Sequence, residues 1–429
     1  MRIGYITAGA AGMYCGSCLH DNTLSAAMQR KGHDVALVPT YTPVRTDEED
    51  VSIDRVFYGA LNVYLEQKSS FFRNSPGFVH WLLDRKPVLN WVSRMAGTRA
   101  TQGEELGELT LSMLQGEEGN QASELLRLVE WMRDEYRPEI IHITNSMLIG
   151  MAGSLKRTLN VPVVCSVQGE DIFLDDMVEP WRTRVREEMR AHAGDVDCII
   201  APSRYYATHM ASYLGVNPDV MRVVPLGIKL DGHAEPEPHS DAFTIGYLAR
   251  VCPEKGLHHL IDAFIQLAPE SPQARLRIAG YQAARDDEYR NEQVQKIEAA
   301  GLSDRVDWLG EVDRQGKLEL LHSLDVFCMP TVYHESKGLP VLEAMASGVP
   351  IVVPNHGAFP EIIEWTGGGA LVEPNSPNAL AAGIMEMAAD PTQRSRLGDA
   401  ARQAVHTKFS DDAMADATLH EYERLRCTN

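Results

Sequence analysis

The sequence predicts an α/β protein with two doubly wound, Rossmann-like parallel-sheet domains. The chain opens with an apolar strand pattern at 3–7, a helical pattern over 24–28 and a second strand at 35–38. A strand–helix–strand start favours a parallel sheet, because the crossover returns the second strand in the same direction. The same alternation starts again at 244–248, and 429 residues suffice for two domains of about 200 residues each.

The predicted domain boundaries follow from composition. Residues 231–241 are polar and proline-rich, as is typical of an exposed linker. We therefore expect a first domain over 1–235 and a second domain over 236–408. An amphipathic pattern over 413–425 predicts a C-terminal helix in the last stretch, 409–429.

A segment at 58–125 interrupts the alternation in the first domain. It mixes large apolar side chains with lysine and arginine, and it predicts two or three helices. One interpretation is a helical insertion that packs on the sheet, which is the commoner role of such side chains. The other is an acceptor-binding lobe, because aromatic rings with nearby cations suit a sugar or an anionic lipid head.

The most informative stretch runs from Glu335 to Glu343, two carboxylates that flank Gly338, Leu339 and Pro340. Pro340 suits the first turn of a helix, so a helix should begin near Gly338-Leu339. Its unpaired N–H groups and positive dipole end suit a phosphate. The carboxylates could accept hydrogen bonds from sugar hydroxyls. The competing interpretation is an ordinary loop–helix–strand unit with two incidental glutamates.

Arg250 and Lys255 follow the predicted strand at 244–248. Ligands of open parallel sheets bind at the carboxyl ends of the strands. The flat guanidinium and the mobile ammonium could together neutralise a diphosphate. In isolation, an arginine and a lysine in a loop are usually only solvated.

Polar side chains at strand ends of the first domain are candidates for an acceptor side. His142 and Asn145 belong to the strand at 140–144 and its end, and Gln168 and Asp171 follow the next strand. For His142 we favour the alternative of a strand-end histidine with satisfied hydrogen bonds.

Together these motifs resemble the retaining nucleotide-sugar glycosyltransferases of family 4, which have the GT-B fold of two Rossmann-like domains facing across a cleft. The R-x4-K-G pattern at 250–256 and the E-x7-E pattern at 335–343 carry the resemblance, which is dense over 220–375 and looser over 1–200. Further segments agree with it: V-V-P-L-G-I at 223–228, R-L-R-I-A-G at 275–280, R-V-D-W-L-G at 305–310 and P-E-I-I at 360–363.

The resemblance implies that Arg250, Lys255 and the helix N-terminus at Gly338-Leu339 stabilise the leaving diphosphate of a nucleoside-diphosphate sugar. It also implies that Glu335 holds hydroxyls of the transferred sugar and stabilises its positive charge. The C-terminal helix would cross back onto the first domain.

The remaining donor contacts are likewise implied by the resemblance. Glu343 would bind the ribose hydroxyls, and Leu309 and Gly310 would meet the base through main-chain groups. Gly9 or Gly12 would face the diphosphate across the cleft.

The chain departs from the family pattern at two positions. The family often has a His-Gly-x-Asp segment at 168–171, and this chain has Gln168 in place of the histidine and keeps Asp171. The acceptor contacts that are typical of the family therefore do not carry over directly. Lys337 stands where a large apolar residue is usual. It could favour an acidic donor sugar or a further phosphate, or it could project into solvent.

No D-x-D pattern stands out at a strand end, so we expect no essential metal and no cofactor. Another enzyme class on the same fold, such as an epimerase or a phosphorylase, is an alternative. A non-catalytic nucleotide-sugar-binding protein is another.

The bulk composition limits the partners. A net charge of −20 argues against nucleic acid. No apolar run is long enough to span a membrane, and the chain opens directly on a strand, so a cytoplasmic protein is expected. The acceptor could be a sugar, a lipid-linked sugar or a small molecule, with peripheral membrane contact left open. The seven cysteines lack framework spacing, which suits a reducing compartment, although Cys15 and Cys18 leave a redox or metal role as an alternative.

Overall fold

The chain divides into two compact units. Unit 1 comprises Met1–Gly227 and Met414–Asn429, and unit 2 comprises Ile228–Ala413. The computed structural model describes residues 1–9, 16–58, 103–233 and 242–428.

Some predictions fall on the rest of the chain. Gly12, Cys15 and most of the predicted insertion at 58–125 lie outside the described residues, as does most of the predicted linker at 231–241. The interpretations given for them stay predictions.

Unit 1 contains a six-stranded sheet in the order β2-β1-β3-β4-β5-β6, with all neighbours parallel. Five of its strands are buried along almost their whole length, as is typical of parallel sheets with helices on both faces. The strands are β1 (Arg2–Thr7), β2 (Asp34–Pro39), β3 (Ile140–Ile143), β4 (Val163–Ser166), β5 (Cys198–Ala201) and β6 (Met221–Val223). The helices described in this unit before residue 228 are α1 (Gly16–Arg30), α2 (Gly103–Leu114), α3 (Ala122–Trp131), α4 (Ala152–Leu159), α5 (Glu170–Asp175), α6 (Trp181–His192) and α7 (Arg204–Leu214).

Unit 2 contains a second six-stranded parallel sheet, in the order β12-β11-β10-β7-β8-β9. Its strands are β7 (Phe243–Leu248), β8 (Ala274–Ala279), β9 (Val306–Gly310), β10 (Val326–Cys328), β11 (Ile351–Pro354) and β12 (Gly369–Val372). Its helices are α8 (Leu257–Leu267), α9 (Asp287–Ala299), α10 (Arg314–His322), α11 (Leu339–Ala346), α12 (Phe359–Thr366), α13 (Pro377–Ala389) and α14 (Pro391–Lys408).

The last helix, α15 (Asp411–Thr428), belongs to unit 1 from Met414 onward. Tyr422 anchors it, because this side chain is fully buried and its hydroxyl hydrogen-bonds His142 of β3. An ion pair of 2.5 Å between Arg426 and Glu139 adds a contact near the end of the helix.

Both sheets have a point at which the strand order reverses. In unit 2 the chain proceeds outward from β7 to β8 and β9, and then crosses to β10 on the other side of β7. Loops that leave neighbouring strands in opposite directions open a crevice at this point, where ligands of open α/β sheets bind. Arg250 follows β7 and Glu335 lies in the loop that follows β10. The predicted fold class of two doubly wound parallel sheets is confirmed.

Candidate active site

Lys255 and Glu335 form the centre of the candidate site in unit 2. The Lys255 Nζ lies 3.0 Å from Glu335 Oε2, and the Tyr333 hydroxyl donates to the same oxygen at 2.7 Å. Lys255 also hydrogen-bonds the Tyr333 hydroxyl. The side chains of Lys255 and Glu335 are only 16% and 7% exposed. The site is therefore a charged pair that is largely closed to water.

The two loops that carry this pair are tied to each other by the main chain. Lys255 ends a 3-10 turn, Pro253–Lys255, that precedes α8. In the other loop, the Val332 N–H donates to the Glu254 carbonyl at 3.0 Å. This hydrogen bond fixes the distance between the loops, so the pair does not depend on side-chain flexibility alone.

Gly256, directly after Lys255, lets the loops approach. Its φ is 72°, and a Cβ at this position would lie 1.7 Å from the Pro330 carbonyl oxygen. We expect Gly256→Ala to lower the free energy of unfolding by about 3 kcal/mol or more, since a positive φ and a backbone clash both oppose it. Chemical denaturation measures this.

Gly301→Ala is the matched control for that prediction. Gly301 has a φ of 68°, but a Cβ there would meet no atom within 4 Å. This variant should lose only about 1 kcal/mol, from the backbone conformation alone. Equal losses at the two positions would contradict the close approach at Gly256.

The carboxyl group of Glu335 is ionised in this environment. Burial by itself raises its pKa, but the Lys255 ammonium, the Tyr333 hydroxyl and the Gly338 N–H outweigh burial and lower the pKa to about 2. The site therefore holds a fixed negative charge next to a fixed positive charge at neutral pH.

The helix that follows begins where the sequence predicts. Gly338 is the N-cap of α11 with a φ of 66°, and Pro340 lies in the first turn. The N–H groups of Lys337 and Gly338 each lie 3.4 Å from Glu335 Oε1. The Glu335 carboxylate thus bridges the Lys255 ammonium and the N-terminus of α11.

Arg250 differs from Lys255 in its exposure. Its carbonyl accepts a hydrogen bond from the Tyr247 hydroxyl at 3.0 Å, which fixes the main chain. Its side chain is exposed and makes no hydrogen bond or ion pair with a described residue. The guanidinium at this strand end is therefore available to an anionic ligand.

Glu343, one turn inside α11, is paired rather than open. Its Oε1 accepts from Lys317 Nζ of α10 at 2.6 Å, and the two side chains are 7% and 9% exposed. Lys317 is not among the site residues that the sequence predicts. Its spacing from the buried Leu320 and Leu321 was an available signal, because it places a charged residue on the apolar face of α10.

Leu309 and Gly310 end the edge strand β9. Leu309 is 36% exposed, and the Gly310 carbonyl accepts from the Gly280 N–H at 2.8 Å. The Gly310 carbonyl is therefore already engaged, and contact with a base would use other main-chain groups of this strand end. That role stays a prediction.

Asp21 of α1 is the centre of a polar network in unit 1 that the sequence analysis missed. Five side chains donate to this fully buried carboxylate: Tyr5 at 2.9 Å, Thr7 at 2.6 Å, His20 at 3.0 Å, Thr144 at 2.5 Å and Gln168 at 3.0 Å. Burial raises the pKa of Asp21, but the hydrogen bonds from His20, Thr144 and Thr7 outweigh it and leave the pKa lowered. The network links β1, α1 and the ends of β3 and β4.

Gln168 and His142 are both parts of the interior. The Gln168 Nε2 donates to Asp21 and also to the Thr144 carbonyl at 3.0 Å. His142 is fully buried, its Nε2 pairs with the Ser166 hydroxyl at 2.7 Å and its Nδ1 with the Tyr422 hydroxyl. The favoured interpretation of His142, a strand histidine with satisfied hydrogen bonds, agrees with these contacts.

Buried histidines predict that stability falls between pH 7 and pH 5. Burial lowers the pKa of both His142 and His233 to about 3. The unfolded chain takes up these protons near pH 6.5 and the folded chain does not, so acid favours unfolding across this window. Each histidine should cost about 2 kcal/mol by pH 5, measured by denaturant unfolding at both pH values.

Substitution separates this effect from other acid effects. His142→Asn should reduce the stability difference between pH 7 and pH 5, whatever its effect on stability at pH 7. His420→Asn, which replaces an exposed histidine of α15, should leave the difference unchanged. Equal stability of the natural chain at both pH values would contradict the prediction.

Asn145, Asp171 and Gly9 lie at carboxyl ends of unit 1 strands. The Asn145 side chain caps the turn after β3 by accepting from the Met147 N–H. Asp171 accepts from the Tyr206 hydroxyl at 2.5 Å and pairs with the His209 Nε2 at 2.9 Å. Their acceptor-side roles stay predictions, as does the donor role of Gly9.

Gly9 itself lies in a tight loop after β1. Its φ is 77°, and a Cβ there would lie 2.1 Å from the Thr42 carbonyl oxygen. This close approach gives a structural reason for a glycine at the position, independent of any ligand.

Comparison with known proteins places this geometry in a family. The family model described as glycosyl transferases group 1 matches residues 231–404, and the glycosyl transferase 4-like domain matches residues 22–227. The chain belongs to the group 1 glycosyl transferases of family 4. The resemblance carried by the two sequence motifs is thus confirmed, and the enzyme class is glycosyltransferase.

Curated relatives of this transferase and solved structures of other proteins agree with this assignment. The chain is 30% identical over 249 residues to an MMP α-(1→4)-mannosyltransferase of Mycolicibacterium hassiacum. The aligned region covers 58% of this chain and 59% of that relative. Sucrose-phosphate synthase from Thermosynechococcus elongatus has a TM-score of 0.72 at 19% identity, with 100% of this chain and 99% of that chain covered. Anabaena HepE in complex with UDP has a TM-score of 0.70 at 19% identity, with 99% and 100% covered. These two structures support the GT-B fold.

The described parts of the transferase are residues 1–9, 16–58, 103–233 and 242–428. In these ranges no set of three or more histidine, cysteine, aspartate or glutamate side chains is arranged to hold a metal ion. No helix in them combines the length and the apolar character needed to cross a bilayer.

Proposed function

We propose that this transferase moves a sugar from a nucleoside-diphosphate sugar to an acceptor hydroxyl, with retention of configuration and without a metal ion. The observation that carries the proposal is the Lys255–Glu335 pair at the reversal point of the unit 2 sheet, beside the N-terminus of α11. HepE, which has the same fold, was crystallised with UDP. That complex supports a nucleoside diphosphate as the leaving group.

The leaving diphosphate needs positive charge where its negative charge develops. Arg250 offers an exposed guanidinium at the end of β7, and Lys255 offers an ammonium that the fold already holds in place. The main-chain N–H groups at the start of α11 add a positive dipole end. Each such contact is worth about 2–4 kcal/mol in the transition state.

Glu335 serves the sugar rather than the phosphate. Because its pKa is about 2, it keeps a negative charge at neutral pH. A carboxylate in this state accepts hydrogen bonds from sugar hydroxyls and stabilises a sugar cation that forms as the donor bond breaks. Lys255 and Tyr333 orient it.

Binding of the nucleoside falls to other groups of unit 2. Glu343 would accept from the ribose hydroxyls, and the strand end at Leu309-Gly310 would meet the base through the main chain. Family resemblance supports these assignments, together with the position of Glu343 in α11. The acceptor would be a sugar, a lipid-linked sugar or a small molecule, with Asn145 and Asp171 of unit 1 as candidate contacts.

Ligand binding and turnover test the proposal together. Thermal shift with UDP, GDP and ADP should show that one diphosphate stabilises the protein more than the others. A screen of nucleotide sugars by mass spectrometry should then identify a donor that is hydrolysed slowly without acceptor. Stabilisation with no hydrolysis of any donor would favour the non-catalytic binding protein instead.

Metal independence gives a separate prediction. Because Arg250, Lys255 and α11 supply the positive charge, donor hydrolysis in excess EDTA should stay within about twofold of the untreated rate, since no Lewis acid is removed. The measurement compares initial rates before and after chelation and after re-addition of Mg²⁺ or Mn²⁺. A complete loss in EDTA that either ion restores would reject the metal-free mechanism.

A further inference from the structure

The Lys317–Glu343 pair is a buried charged contact in unit 2 whose lysine has no role in the proposed chemistry. The two atoms Lys317 Nζ and Glu343 Oε1 are 2.6 Å apart and both side chains are more than nine-tenths buried. Lys317 lies on the apolar face of α10 with Leu320 and Leu321. An aliphatic side chain would fit this helical face by the ordinary pattern.

Stability alone does not account for the pair. Removing two charges from water costs several kcal/mol, and apolar replacements of such pairs are often neutral or stabilising. A single missing partner, in contrast, leaves a buried charge uncompensated. Lys317 is therefore best explained by what it does for the Glu343 carboxylate.

The two carboxylate oxygens of Glu343 differ in their hydrogen bonding. Lys317 occupies Oε1, whereas Oε2 has no hydrogen-bond partner among the residues described in unit 2. Arg314, at the start of the same helix as Lys317, donates to the Lys229 and Asp231 carbonyls. Lys317 is thus the cation that fixes the Glu343 rotamer.

We propose that Lys317 is a positioning residue that holds Glu343 so that its second carboxylate oxygen receives a ribose hydroxyl of the nucleotide. This inference rests on the proposed function, in which Glu343 contacts the ribose. It adds that ribose recognition depends on a residue of α10 that does not itself touch the nucleotide.

The role of Lys317 is tested by comparing the affinities of a ribonucleoside diphosphate and its 2′,3′-dideoxy form. The probes are the diphosphate among UDP, GDP and ADP that gives the largest thermal shift, its 2′,3′-dideoxy form, and inorganic pyrophosphate. The natural chain should bind the ribonucleotide about tenfold or more tightly than the dideoxy form, as a hydrogen bond to a charged group predicts. In Lys317→Met this ratio should fall to about threefold or less, while the pyrophosphate Kd stays within about twofold.

Further variants separate positioning from a merely structural role. Lys317→Arg should keep most of the discrimination, because it keeps the cation. Glu343→Gln and the double variant Lys317→Met/Glu343→Gln should show the same low ratio, since Lys317 then has no carboxylate to position. The double variant leaves no buried charge unpaired. If Lys317→Met does not fold, Lys317→Gln replaces it, with a ratio below that of the natural chain expected.

The results distinguish this inference from the proposed function. An unchanged ratio in Lys317→Met or Lys317→Gln, with diphosphate binding intact, would overturn the role of Lys317 alone. A natural chain that binds the diphosphate without preferring ribose would also overturn it. A natural chain that binds neither any diphosphate nor pyrophosphate would instead contradict the proposed function.

Discussion

Lys255→Ala is expected to lower kcat/KM for donor hydrolysis by about 10²–10³-fold, because it removes one positive group from the developing charge on the leaving diphosphate. Arg250→Ala should have an effect of the same kind. Initial rates with the identified donor measure both. The two variants should differ in their free energy of unfolding, so a loss of activity that both share cannot be attributed to lost stability.

Lys255→Ala should also destabilise the protein, whereas Arg250→Ala should not. Lys255 is the counter-ion of Glu335, whose side chain is 7% exposed. Removing one partner of a buried pair costs about 3–5 kcal/mol, since the remaining charge is uncompensated. The Arg250 side chain is exposed and makes no ion pair with a described residue, so its loss leaves no such charge.

Lys296→Ala provides a matched control for Lys255→Ala. Lys296 pairs with Asp262 at 2.9 Å, but these side chains are 41% and 35% exposed. Its loss should change stability by less than about 1 kcal/mol, as for other exposed pairs, and leave activity unchanged. Rates like those of the natural chain in folded Lys255→Ala and Arg250→Ala would refute their assignment to the leaving group.

The sequence predicted the parts of this site that local patterns specify. Pro340 after Gly338 marks a helix start, and the strand before Arg250 places that residue at a sheet edge, so both positions could be inferred from neighbouring residues alone. The alternating strands and helices likewise predicted parallel sheets. These features depend on contacts within a few residues, where periodicity and turn chemistry are informative.

The contacts that sequence reasoning missed join residues far apart in the chain. Lys317 and Glu343 lie on different helices, and Tyr333 completes the Lys255–Glu335 pair across two loops. No local pattern assigns a buried lysine to a particular carboxylate, because the pairing depends on how the helices pack. Gln168 shows the same limit, since its amide donates to Asp21, 147 positions earlier in the chain.

The Asp21 network of unit 1 gives the second large expected effect. Asp21→Ala should lower the free energy of unfolding by about 3–5 kcal/mol, because it removes the buried charged acceptor that five side chains share. The donors include the Gln168 amide and the Thr144 hydroxyl, which are themselves buried. Denaturant unfolding at pH 7 measures the loss.

Asp21→Asn should lose less, about 1–2 kcal/mol, because the hydroxyl donors can rotate and accept from the new amide. The Thr7 and Thr144 hydroxyls both reach Oδ2, so an amide nitrogen placed there keeps two partners. Asp34→Asn is the control: Asp34 pairs with Arg2 at 2.9 Å but is 58% exposed, and a change within about 1 kcal/mol is expected.

The stability of the natural chain and that of Asp21→Asn should depend differently on pH, because only the natural chain has a carboxyl group at position 21. Its pKa in the folded state is lowered, so the stability it adds is present above pH 4 and is lost as the pH falls through the folded pKa. Asp21→Asn cannot take up that proton, and its stability should therefore fall less steeply below about pH 4. Identical acid unfolding of the two proteins would mean that the carboxylate is not the charged centre of the network.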